Sequence, residues 1–319
     1  MHSPEMGRSW LTAAAEHNTG ASNSVPRRLE LSWPRHQTKV VAAMSERVLV
    51  IIGVGGMGEA IARRLGSGRK LLLADYREST LERVSAALGR EGYNVSTRQV
   101  DVASRESVRA LAQLAAALGD VEQVVHTAGV SPAQAPAEVV LRVDLYGVAV
   151  MLDEFAQVIA NAGAGVVIAS MAGHVQGIVP QDVEQALMHT DSEALLSLPF
   201  FQTPPAANAG TAYVIAKRAN LLRVMAASAS WGKRGARINS ISPGIISTPM
   251  QHEELAGASG DRVRGLIAGS ALRRIGTVNE IAEAAAFLLS PSASFITGTD
   301  LLVDAGALAA LRSAAPKAR

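Results

Sequence analysis

From residue 48 onward, short apolar runs alternate with longer amphipathic segments along the chain. The apolar runs predict seven β-strands, at Val48–Ile52, Lys70–Ala74, Asn94–Val100, Val121–His126, Val166–Ser170, Arg237–Ile241 and Leu301–Val303. The amphipathic segments predict helices at Gly58–Leu65, Ser79–Leu88, Ser104–Leu118, Glu138–Ala162, Thr211–Trp231 and Ile281–Leu289. Strands that are apolar at nearly every position are typical of a parallel sheet covered by helices on both faces. We therefore predict a single α/β domain, a doubly wound Rossmann-type fold with a mostly parallel seven-stranded sheet flanked by helices.

The first 44 residues lack any sustained periodicity, and they contain three prolines and two of the three tryptophans. We predict that residues 1–44 form a disordered extension, or that Met44 is the natural start of the protein. The alternative is a docking arm in which Trp10 or Trp33 packs on the domain or on a neighbouring molecule. The folded domain is expected to cover residues 45–309, followed by a C-terminal tail over residues 310–319.

Composition limits the classes of function. Hydrophobic residues make up 48% of the 319 positions, which is ample for a large core, whereas the formal net charge is only +2. So small a net charge favours neither nucleic acid nor an anionic membrane as a partner. The chain has no cysteine, which excludes disulfides, thiolate metal sites and cysteine nucleophiles and is typical of a cytoplasmic protein. No apolar run approaches the ~20 residues of a membrane helix, and no cluster of His, Asp and Glu has metal-ligand spacing, so we predict no metal.

Three glycines follow the first predicted strand in the pattern Gly53-x-Gly55-x-x-Gly58. Glycines at this spacing permit a tight turn and a close approach of the backbone to a pyrophosphate, which the amino terminus of the next helix stabilises. Asp75 ends the second strand, where it can accept hydrogen bonds from a ribose 2′-hydroxyl and repel a 2′-phosphate. The pattern predicts NAD rather than NADP, although Arg77 could bind a phosphate. The alternative makes Asp75 an ordinary turn residue.

A tyrosine and a lysine, Tyr213 and Lys217, stand four positions apart in a predicted helix, with Ser170 upstream of both. Side chains at this spacing project from the same face of a helix. An ammonium beside a phenol favours its ionised form and lowers its pKa from the ordinary value of roughly 10. Such a phenol can exchange a proton with an alcohol or a carbonyl while hydride moves at carbon. The alternative is an ordinary buried tyrosine followed by a solvated lysine.

Seven further segments occur in a consistent order around this pair. They are Asp101-Val102, His126-Thr-Ala-Gly129, Val143-Asp-Leu-Tyr-Gly147, Ser170-Met-Ala-Gly173, Asn239-Ser-Ile-Ser-Pro-Gly244 with Thr248, Phe295-Ile-Thr-Gly298 and Val303-Asp-Ala-Gly306. With Tyr213-x-x-x-Lys217, they make roughly residues 46–308 resemble the classical short-chain dehydrogenases/reductases. The resemblance implies that Ser170 hydrogen-bonds the substrate oxygen and that Tyr213 is the acid/base. It also implies that Lys217 holds the nicotinamide ribose and depresses the pKa of the tyrosine.

The same resemblance implies a set of cofactor contacts and an oligomer. The cofactor-binding residues that it assigns are Gly53, Gly55, Met57, Gly58, Asp75, Asp101, Val102, Ala128, Gly129, Tyr213, Lys217, Pro243, Gly244, Ile246 and Thr248. Within this set, Pro243, Gly244, Ile246 and Thr248 would seat the nicotinamide carboxamide. A homodimer or homotetramer is implied, built by pairing the helices at Glu138–Ala162 and Thr211–Trp231.

Two departures from the family pattern affect individual contacts. The glycine loop is one residue shorter than the usual Thr-Gly-x-x-x-Gly-x-Gly, so its path is expected to be closer to that of other dinucleotide-binding Rossmann proteins. Asp144 replaces an asparagine that in the family supports a water-mediated proton relay from the lysine to solvent. An aspartate can hold the same water as a fourth catalytic residue, but its charge should raise the pKa of Lys217 and oppose ionisation of Tyr213. The alternative makes Asp144 a buried helix-capping residue.

The third departure is an insertion. Ser170 and Tyr213 are 43 positions apart, whereas the family typically has about a dozen residues between them. Residues 178–210 would lie at the carboxyl edge of the sheet, beside the substrate. We predict a lid with one or two short helices, in which an apolar pocket is walled by Leu195, Leu196, Leu198, Phe200 and Phe201. The alternative is a subunit-contact arm that never meets substrate.

Two histidines lie near the predicted site. His174 follows the serine and could bond a polar substrate group, although a loop histidine is more often simply solvated. His126 is expected only to fill its place at a strand end.

The favoured function is an NAD-dependent alcohol/ketone oxidoreductase acting on a hydrophobic small molecule. The alternatives are a non-catalytic dinucleotide sensor on the same fold and an enoyl reductase, whose tyrosine and lysine are usually spaced more widely.

Overall fold

An all-parallel sheet of seven strands lies at the centre of the computed structural model, which describes residues 45–313. The strands are β1 Arg47–Ile52, β2 Lys70–Asp75, β3 Asn94–Gln99, β4 Asp120–His126, β5 Ile159–Ile168, β6 Arg237–Pro243 and β7 Asp300–Val303. They are ordered β3-β2-β1-β4-β5-β6-β7 across the sheet. All seven predicted strands are present and the doubly wound Rossmann-type fold is confirmed. The predictions for residues 1–44, including those for Trp10, Trp33 and Met44, concern residues outside the described part of the chain.

Helices cover both faces of this sheet. They are α1 Gly56–Leu65, α2 Glu78–Arg90, α3 Arg105–Leu118, α4 Ala137–Val140, α5 Gly147–Phe155, α6 Gln181–His189, α7 Ala209–Gly232, α8 Pro249–Ala256, α9 Gly260–Gly269, α10 Val278–Leu289 and α11 Ala307–Ser313. The last helix, α11, extends past the predicted domain boundary at residue 309 and is described as far as Ser313. No helix within residues 45–313 is long and apolar enough to cross a membrane.

The core consists of two layers, one on each face of the sheet. Alternation along β1 divides its side chains between them: Val48, Val50 and Ile52 pack in one layer, and Leu49 and Ile51 in the other. The first layer also contains apolar residues of α3, α5 and α7. The second contains apolar residues of α1, α2 and α10. A strand that is buried on both faces needs apolar residues at every position, which explains the continuous apolar runs in the sequence.

The strand order reverses direction at β1, whose neighbours are β2 on one side and β4 on the other. In open α/β sheets, ligands bind beyond the carboxyl ends of the strands at such a switch point. Gly53 follows β1 directly, and Thr127 follows β4 and donates its hydroxyl to the Gly53 carbonyl at 2.5 Å. The fold therefore places the predicted glycine turn at the ligand-binding edge.

The predicted long helix at Glu138–Ala162 is wrong in its second half. The chain forms α4, a π-helical segment over Leu141–Tyr146 and then α5, which ends at Phe155. From Ile159 the backbone is already in β5, and Ala164 pairs with Gln123 of β4. The segment 160–165 consists of small residues and Asn161, which fit a crowded central strand as well as a helix end, so the apolar pattern alone did not separate the two.

The insertion over residues 178–210 contains α6 and three short 3₁₀ turns, at Leu195–Ser197, Pro199–Gln202 and Pro204–Ala207. Its residues Leu187, Leu195 and Ala206 are buried in a third apolar cluster. The other buried members come from the adjacent helical elements: Val140, Leu141, Leu145, Ala149, Ala212, Ile215, Ala216, Ala219 and Leu222. Helix α7 is thus apolar both toward the sheet and toward the insertion.

Polar contacts also fix the insertion to the rest of the domain. Arg223 of α7 donates to the Leu187 and Thr190 carbonyls at 3.1 and 2.9 Å. Arg218 pairs with Glu184 at 2.7 Å, and Arg105 of α3 pairs with Glu193. The insertion therefore packs against the chain's own helices and covers apolar stripes on the two helices through which subunits were expected to pair.

Candidate active site

The Ser170 turn and helix α7 are in direct contact. Ser170 follows β5, and its hydroxyl caps the 3₁₀ turn Met171–His174 by accepting the Ala172 N–H at 3.1 Å. Gly173 in this turn has no room for a side chain, because a Cβ would lie 2.7 Å from the Lys217 carbonyl oxygen. A hydrogen bond from Ser170 also lowers the pKa of Tyr213, although burial is the largest influence and raises it. The structure thus brings together Ser170, Tyr213 and Lys217.

Lys217 is held between Tyr213 and Asp144. Its ammonium lies 3.0 Å from Oδ2 of Asp144 and 5.3 Å from the centre of the Tyr213 ring. Asp144 is fully buried in the π-helical segment, and its Oδ1 accepts the Val130 N–H at 2.8 Å. Gly129 lies over the pair, since a Cβ there would be 3.1 Å from Asp144 Oδ2. Asp144 therefore contacts Lys217 directly and supports the backbone at Val130, and its part in a proton relay stays a prediction.

The direction of the Tyr213 pKa differs from the expectation. Burial raises the pKa of Tyr213, the Lys217 ammonium lowers it and the Asp144 carboxylate raises it, so the pKa lies above its ordinary value of 10.0. Burial lowers the pKa of Lys217, but Asp144 and Tyr213 raise it, and the net pKa is above 10.5. The helical spacing predicts the effect of the Lys217 ammonium on the Tyr213 pKa, but it does not predict the larger effect of burial. The expected opposition of Asp144 to tyrosine ionisation has the predicted sign.

The glycine turn, or cradle, is tightly packed at Gly53 and Gly58 and open at Gly55. Gly53 has a φ of 89°, and a Cβ there would lie 2.5 Å from the Ala128 nitrogen. A Cβ on Gly58 would lie 2.0 Å from the Gly53 carbonyl oxygen, so the helix start is packed against the turn. Gly55 faces open space, and no side chain caps the first turn of α1. Free N–H groups at this helix start fit a pyrophosphate.

Asp75 is oriented by backbone at the end of β2. Its Oδ2 accepts the Val54 N–H and its Oδ1 accepts the Arg77 N–H, both at 2.9 Å. The turn role and the ribose role are compatible, because each carboxylate oxygen has a second lone pair. The carboxylate lies one strand away from the glycine turn, at the same edge of the sheet.

The remaining residues assigned to the cofactor follow the carboxyl ends of other strands. Val102 is buried and the neighbouring Asp101 is exposed, both beyond β3. Pro243 ends β6, and the Gly244 N–H donates to the Val303 carbonyl at 2.9 Å. In the loop after β6, Ile246 is buried and pairs with Gly276, and Thr248 caps α8; Met57, in the first turn of α1, is half-buried. Gly53, Asp75, Asp101 and Pro243 thus mark one edge of the sheet.

Comparisons with known proteins agree with this geometry. A family model described as "short chain dehydrogenase" matches residues 46–180, and one described as "Enoyl-(Acyl carrier protein) reductase" matches residues 178–307. The short-chain dehydrogenase/reductase bsc3 of Alternaria brassicicola is 43% identical over 269 residues, which cover 84% of this chain and 98% of that protein. The chain belongs to the short-chain dehydrogenase/reductase family.

Two further similar proteins have lower sequence identity to this chain. The cis-4-hydroxycyclohexanecarboxylate dehydrogenase of Sinomonas cyclohexanicum is 31% identical over 275 residues, covering 83% of this chain and 97% of that enzyme. The solved structure of a short-chain dehydrogenase/reductase from Serratia marcescens shares the fold, with a TM-score of 0.64 and 23% identity over 82% of this chain and 98% of that one. As a member of this family, the chain is an oxidoreductase of the class that uses a nicotinamide dinucleotide and a small-molecule substrate.

Two parts of the sequence interpretation are wrong. Leu195 was expected to wall an open pocket, but it is fully buried among helix residues. Leu196, Leu198, Phe200 and Phe201 are partly buried and pack on the same cluster as Tyr213. His174 was expected to be solvated or to face substrate, but its Nε2 lies 2.8 Å from Asp300 Oδ2 on β7. Within residues 45–313, no cluster of three His, Asp or Glu side chains is arranged to hold a metal ion.

Sequence reasoning also gave no role to two fully buried polar side chains, His126 and Asn220. Neither has a hydrogen-bond partner within the described part of the chain. Burial lowers the pKa of His126 to about 3, and the Lys217 ammonium adds to this effect. His126 is therefore neutral at neutral pH. Asn220, one turn beyond Lys217, was hidden in a helix whose other residues are largely apolar.

Proposed function

We propose that this chain is an NAD(H)-dependent oxidoreductase that interconverts a secondary alcohol and a ketone by hydride transfer. The proposal is carried by the convergence of Ser170, Tyr213 and Lys217 at the edge of the sheet that holds the glycine cradle. Nicotinamide, when bound, supplies or accepts the hydride. The protein's residues supply the proton and position the oxygen.

The roles of the three side chains follow from their surroundings. The Ser170 hydroxyl is held beside the phenol, where it can orient a carbonyl or hydroxyl oxygen. In ketone reduction Tyr213 donates its proton to that oxygen, and in alcohol oxidation the phenolate accepts it. Lys217 stays protonated because Asp144 raises its pKa against the effect of burial. Its charge stabilises the phenolate, which otherwise would be costly in a partly buried site.

NAD is favoured over NADP by Asp75. A carboxylate held by two backbone N–H groups cannot turn away from the ribose without losing both hydrogen bonds. It accepts a hydrogen bond from a 2′-hydroxyl but repels a 2′-phosphate. Arg77 is exposed two residues further on, and its backbone N–H already binds Asp75.

A hydrophobic substrate is supported by the insertion. Leu196, Leu198, Phe200 and Phe201 remain partly exposed and belong to the cluster against which Tyr213 packs. An apolar wall on the Tyr213 side of the site suits a hydrophobic alcohol or ketone. A relative is named for a hydroxylated cyclohexane, which supports a cyclic carbon skeleton for the substrate of this chain as well.

The test is NADH and NADPH oxidation with a panel of cyclic and open-chain ketones, comparing the wild type with Tyr213→Phe. The expected result is turnover by the wild type with NADH and a loss of at least about 100-fold in the variant, the scale of general acid catalysis. Tyr93→Phe is the matched control, because it removes a tyrosine hydroxyl bonded to the Arg63 carbonyl. Equal activity of Tyr213→Phe and wild type would exclude the assigned mechanism. Absence of turnover with intact NADH binding would favour the non-catalytic sensor.

A further inference from the structure

The turn that carries Ser170 is connected to the sheet through a second polar cluster. Its last residue, His174, directs Nε2 to Asp300 Oδ2 on β7 at 2.8 Å and to Ser242 Oγ on β6 at 3.3 Å. Asp300 Oδ1 accepts the Ser240 and Ser242 hydroxyls at 2.6 and 3.0 Å. The Asp300 carboxylate thus binds three side chains, two on β6 and one on the serine turn.

These residues are buried in a way that gives the cluster a defined geometry. Ser240 and Ser242 are fully buried, and the side chains of His174 and Asp300 are 21% and 12% exposed. Ser240 and Asp300 are register partners on adjacent strands, so they lie side by side on one face of the sheet. Two hydroxyls and a carboxylate that are largely removed from water need hydrogen-bond partners, and His174 is the partner that comes from outside the sheet.

The backbone of the turn is also fixed at both ends. Arg312 of α11 donates to the His174 carbonyl at 3.1 Å. At the other end, Ser170 accepts the Ala172 N–H, and Gly173 packs against the Lys217 backbone. Only three residues, the first three of the turn, lie between Ser170 and His174, so a shift of His174 is transmitted to Ser170 over a short segment.

Strand β6 links this cluster to the predicted nicotinamide seat. Ser242 is followed directly by Pro243 and Gly244, which begin the loop assigned to the carboxamide. His174 therefore contacts the strand that ends at the cofactor while its own turn begins at the catalytic serine. One imidazole sets the spacing between the two halves of the site.

We propose that His174 is a positioning residue that, through Asp300 and Ser242, holds the Ser170 hydroxyl at its working distance from Tyr213 and the nicotinamide seat. The inference rests on the proposed function, because the working distance is defined by the reaction at Ser170 and Tyr213. His174 itself touches neither substrate nor cofactor in this assignment. Its effect on turnover passes through Ser170.

The test is a double-mutant cycle with His174→Leu, Ser170→Ala and the combined variant. His174→Leu alone should lower kcat by about 10-fold or more, since a displacement of about 1 Å can cost a factor of 100, while KM for NADH changes by less than about twofold. In the Ser170→Ala background the same substitution should have no further effect, because the group through which it acts is gone. His174→Gln, which keeps a donor for Asp300, should recover part of the lost turnover. His189→Leu, at an exposed histidine of α6, is the matched control and should match wild type.

A second readout does not depend on turnover. Amide hydrogen exchange in a peptide covering the Ser170 turn should become faster in His174→Leu, with unchanged exchange in α7. Asp300→Asn should also make exchange in the turn faster and lower kcat, each to a smaller extent than His174→Leu. It replaces His174→Leu in the test if that variant does not fold.

Three results would overturn the inference: an equal loss of kcat from His174→Leu in the wild-type and Ser170→Ala backgrounds, unchanged exchange in the turn, or no recovery in His174→Gln. Failure of the proposed function is distinguishable from these, because it would appear as an inactive wild type or as an active Tyr213→Phe variant. If the proposed function fails, amide exchange in the turn still tests whether His174 fixes the position of Ser170.

Discussion

The ammonium of Lys217 lies 3.0 Å from the carboxylate of Asp144, and both groups are buried beneath Gly129. A buried ion pair of this kind fixes the position and the charge of the lysine at the same time. Losing one partner would leave the other uncompensated in a region of low dielectric. The pair therefore acts on the pKa of Tyr213 in two opposite directions, because the ammonium lowers it and the carboxylate raises it.

Replacing Asp144 by asparagine should move the pH profile. Burial raises the pKa of Tyr213 most, and the Asp144 carboxylate raises it further, so removing that charge lowers the pKa. Ketone reduction needs the protonated phenol, and its alkaline limb should therefore shift to lower pH in Asp144→Asn, with turnover retained. Initial rates of NADH oxidation between pH 6 and 10 give the shift. Asp120→Asn, at an exposed carboxylate, is the control, and total loss of activity in Asp144→Asn would show that the carboxylate has another role.

His126 should make the fold sensitive to acid. Its pKa is about 3 in the folded state because burial disfavours the imidazolium, against roughly 6.5 when unfolded. Only the unfolded chain binds this proton between the two values, so stability is complete above pH 6.5 and falls as pH decreases toward 3, by roughly 1.4 kcal/mol per unit.

His126→Asn should remove this contribution. The loss of unfolding free energy between pH 7 and pH 5 is expected to be smaller in the variant by about 2 kcal/mol. Urea unfolding at both pH values measures the difference, with His189→Asn at an exposed histidine as the control. Identical pH dependence in wild type and His126→Asn would mean that the imidazole is solvated or protonated in the folded protein.

Asp75 should decide the cofactor preference. Asp75→Asn keeps the size of the side chain but removes the charge that repels a 2′-phosphate, so the ratio of kcat/KM for NADH over NADPH should fall by about 10-fold or more, on the order of one lost charge-assisted hydrogen bond. Steady-state kinetics with both cofactors measure it. Glu78→Gln nearby removes an exposed carboxylate and should leave the ratio unchanged. If the ratio of kcat/KM for NADH over NADPH does not change in Asp75→Asn, then Asp75 only stabilises the backbone of its turn and does not select the cofactor.

Leu195 should contribute to stability rather than to substrate choice. It is fully buried among residues of the π-helical segment and α7, so Leu195→Ala should lower the unfolding free energy by about 2–5 kcal/mol. Leu196→Ala, at a partly buried neighbour, should cost less stability and change KM for a hydrophobic ketone more. Urea unfolding and steady-state kinetics of both variants test the pair. The opposite assignment of effects would restore Leu195 to the pocket wall.

Much of the architecture follows from local patterns in the sequence. The alternation of apolar and amphipathic segments predicted all seven strands, because a doubly covered parallel sheet requires apolar residues on both faces of its inner strands. The start of β5 was missed by seven residues, since the small residues of 160–165 carry no strand preference and their conformation is set by pairing with β4. At this segment the pairing with β4, rather than local propensity, determines the conformation.

The site was predictable where residues act at fixed helical spacing and not where packing joins distant segments. Tyr213 and Lys217 were found from their four-residue separation. The His174–Asp300 contact joins residues 126 positions apart, and only Ser240 and Ser242, two hydroxyls alternating in an apolar strand, hinted at a polar partner. The direction of the Tyr213 pKa shift depends on burial, which the spacing of residues in the sequence does not predict.

Helix α7 carries Tyr213 and Lys217, and it packs on the insertion through the apolar cluster to which Tyr213 also belongs. Grafting a foreign segment between Gly177 and Asn208 to change the range of substrates would therefore also replace part of the packing around Tyr213. Selectivity and thermal endurance are coupled in this scaffold, and libraries that vary the insertion should hold Leu187, Leu195 and Ala206 constant while exploring the positions around Phe200.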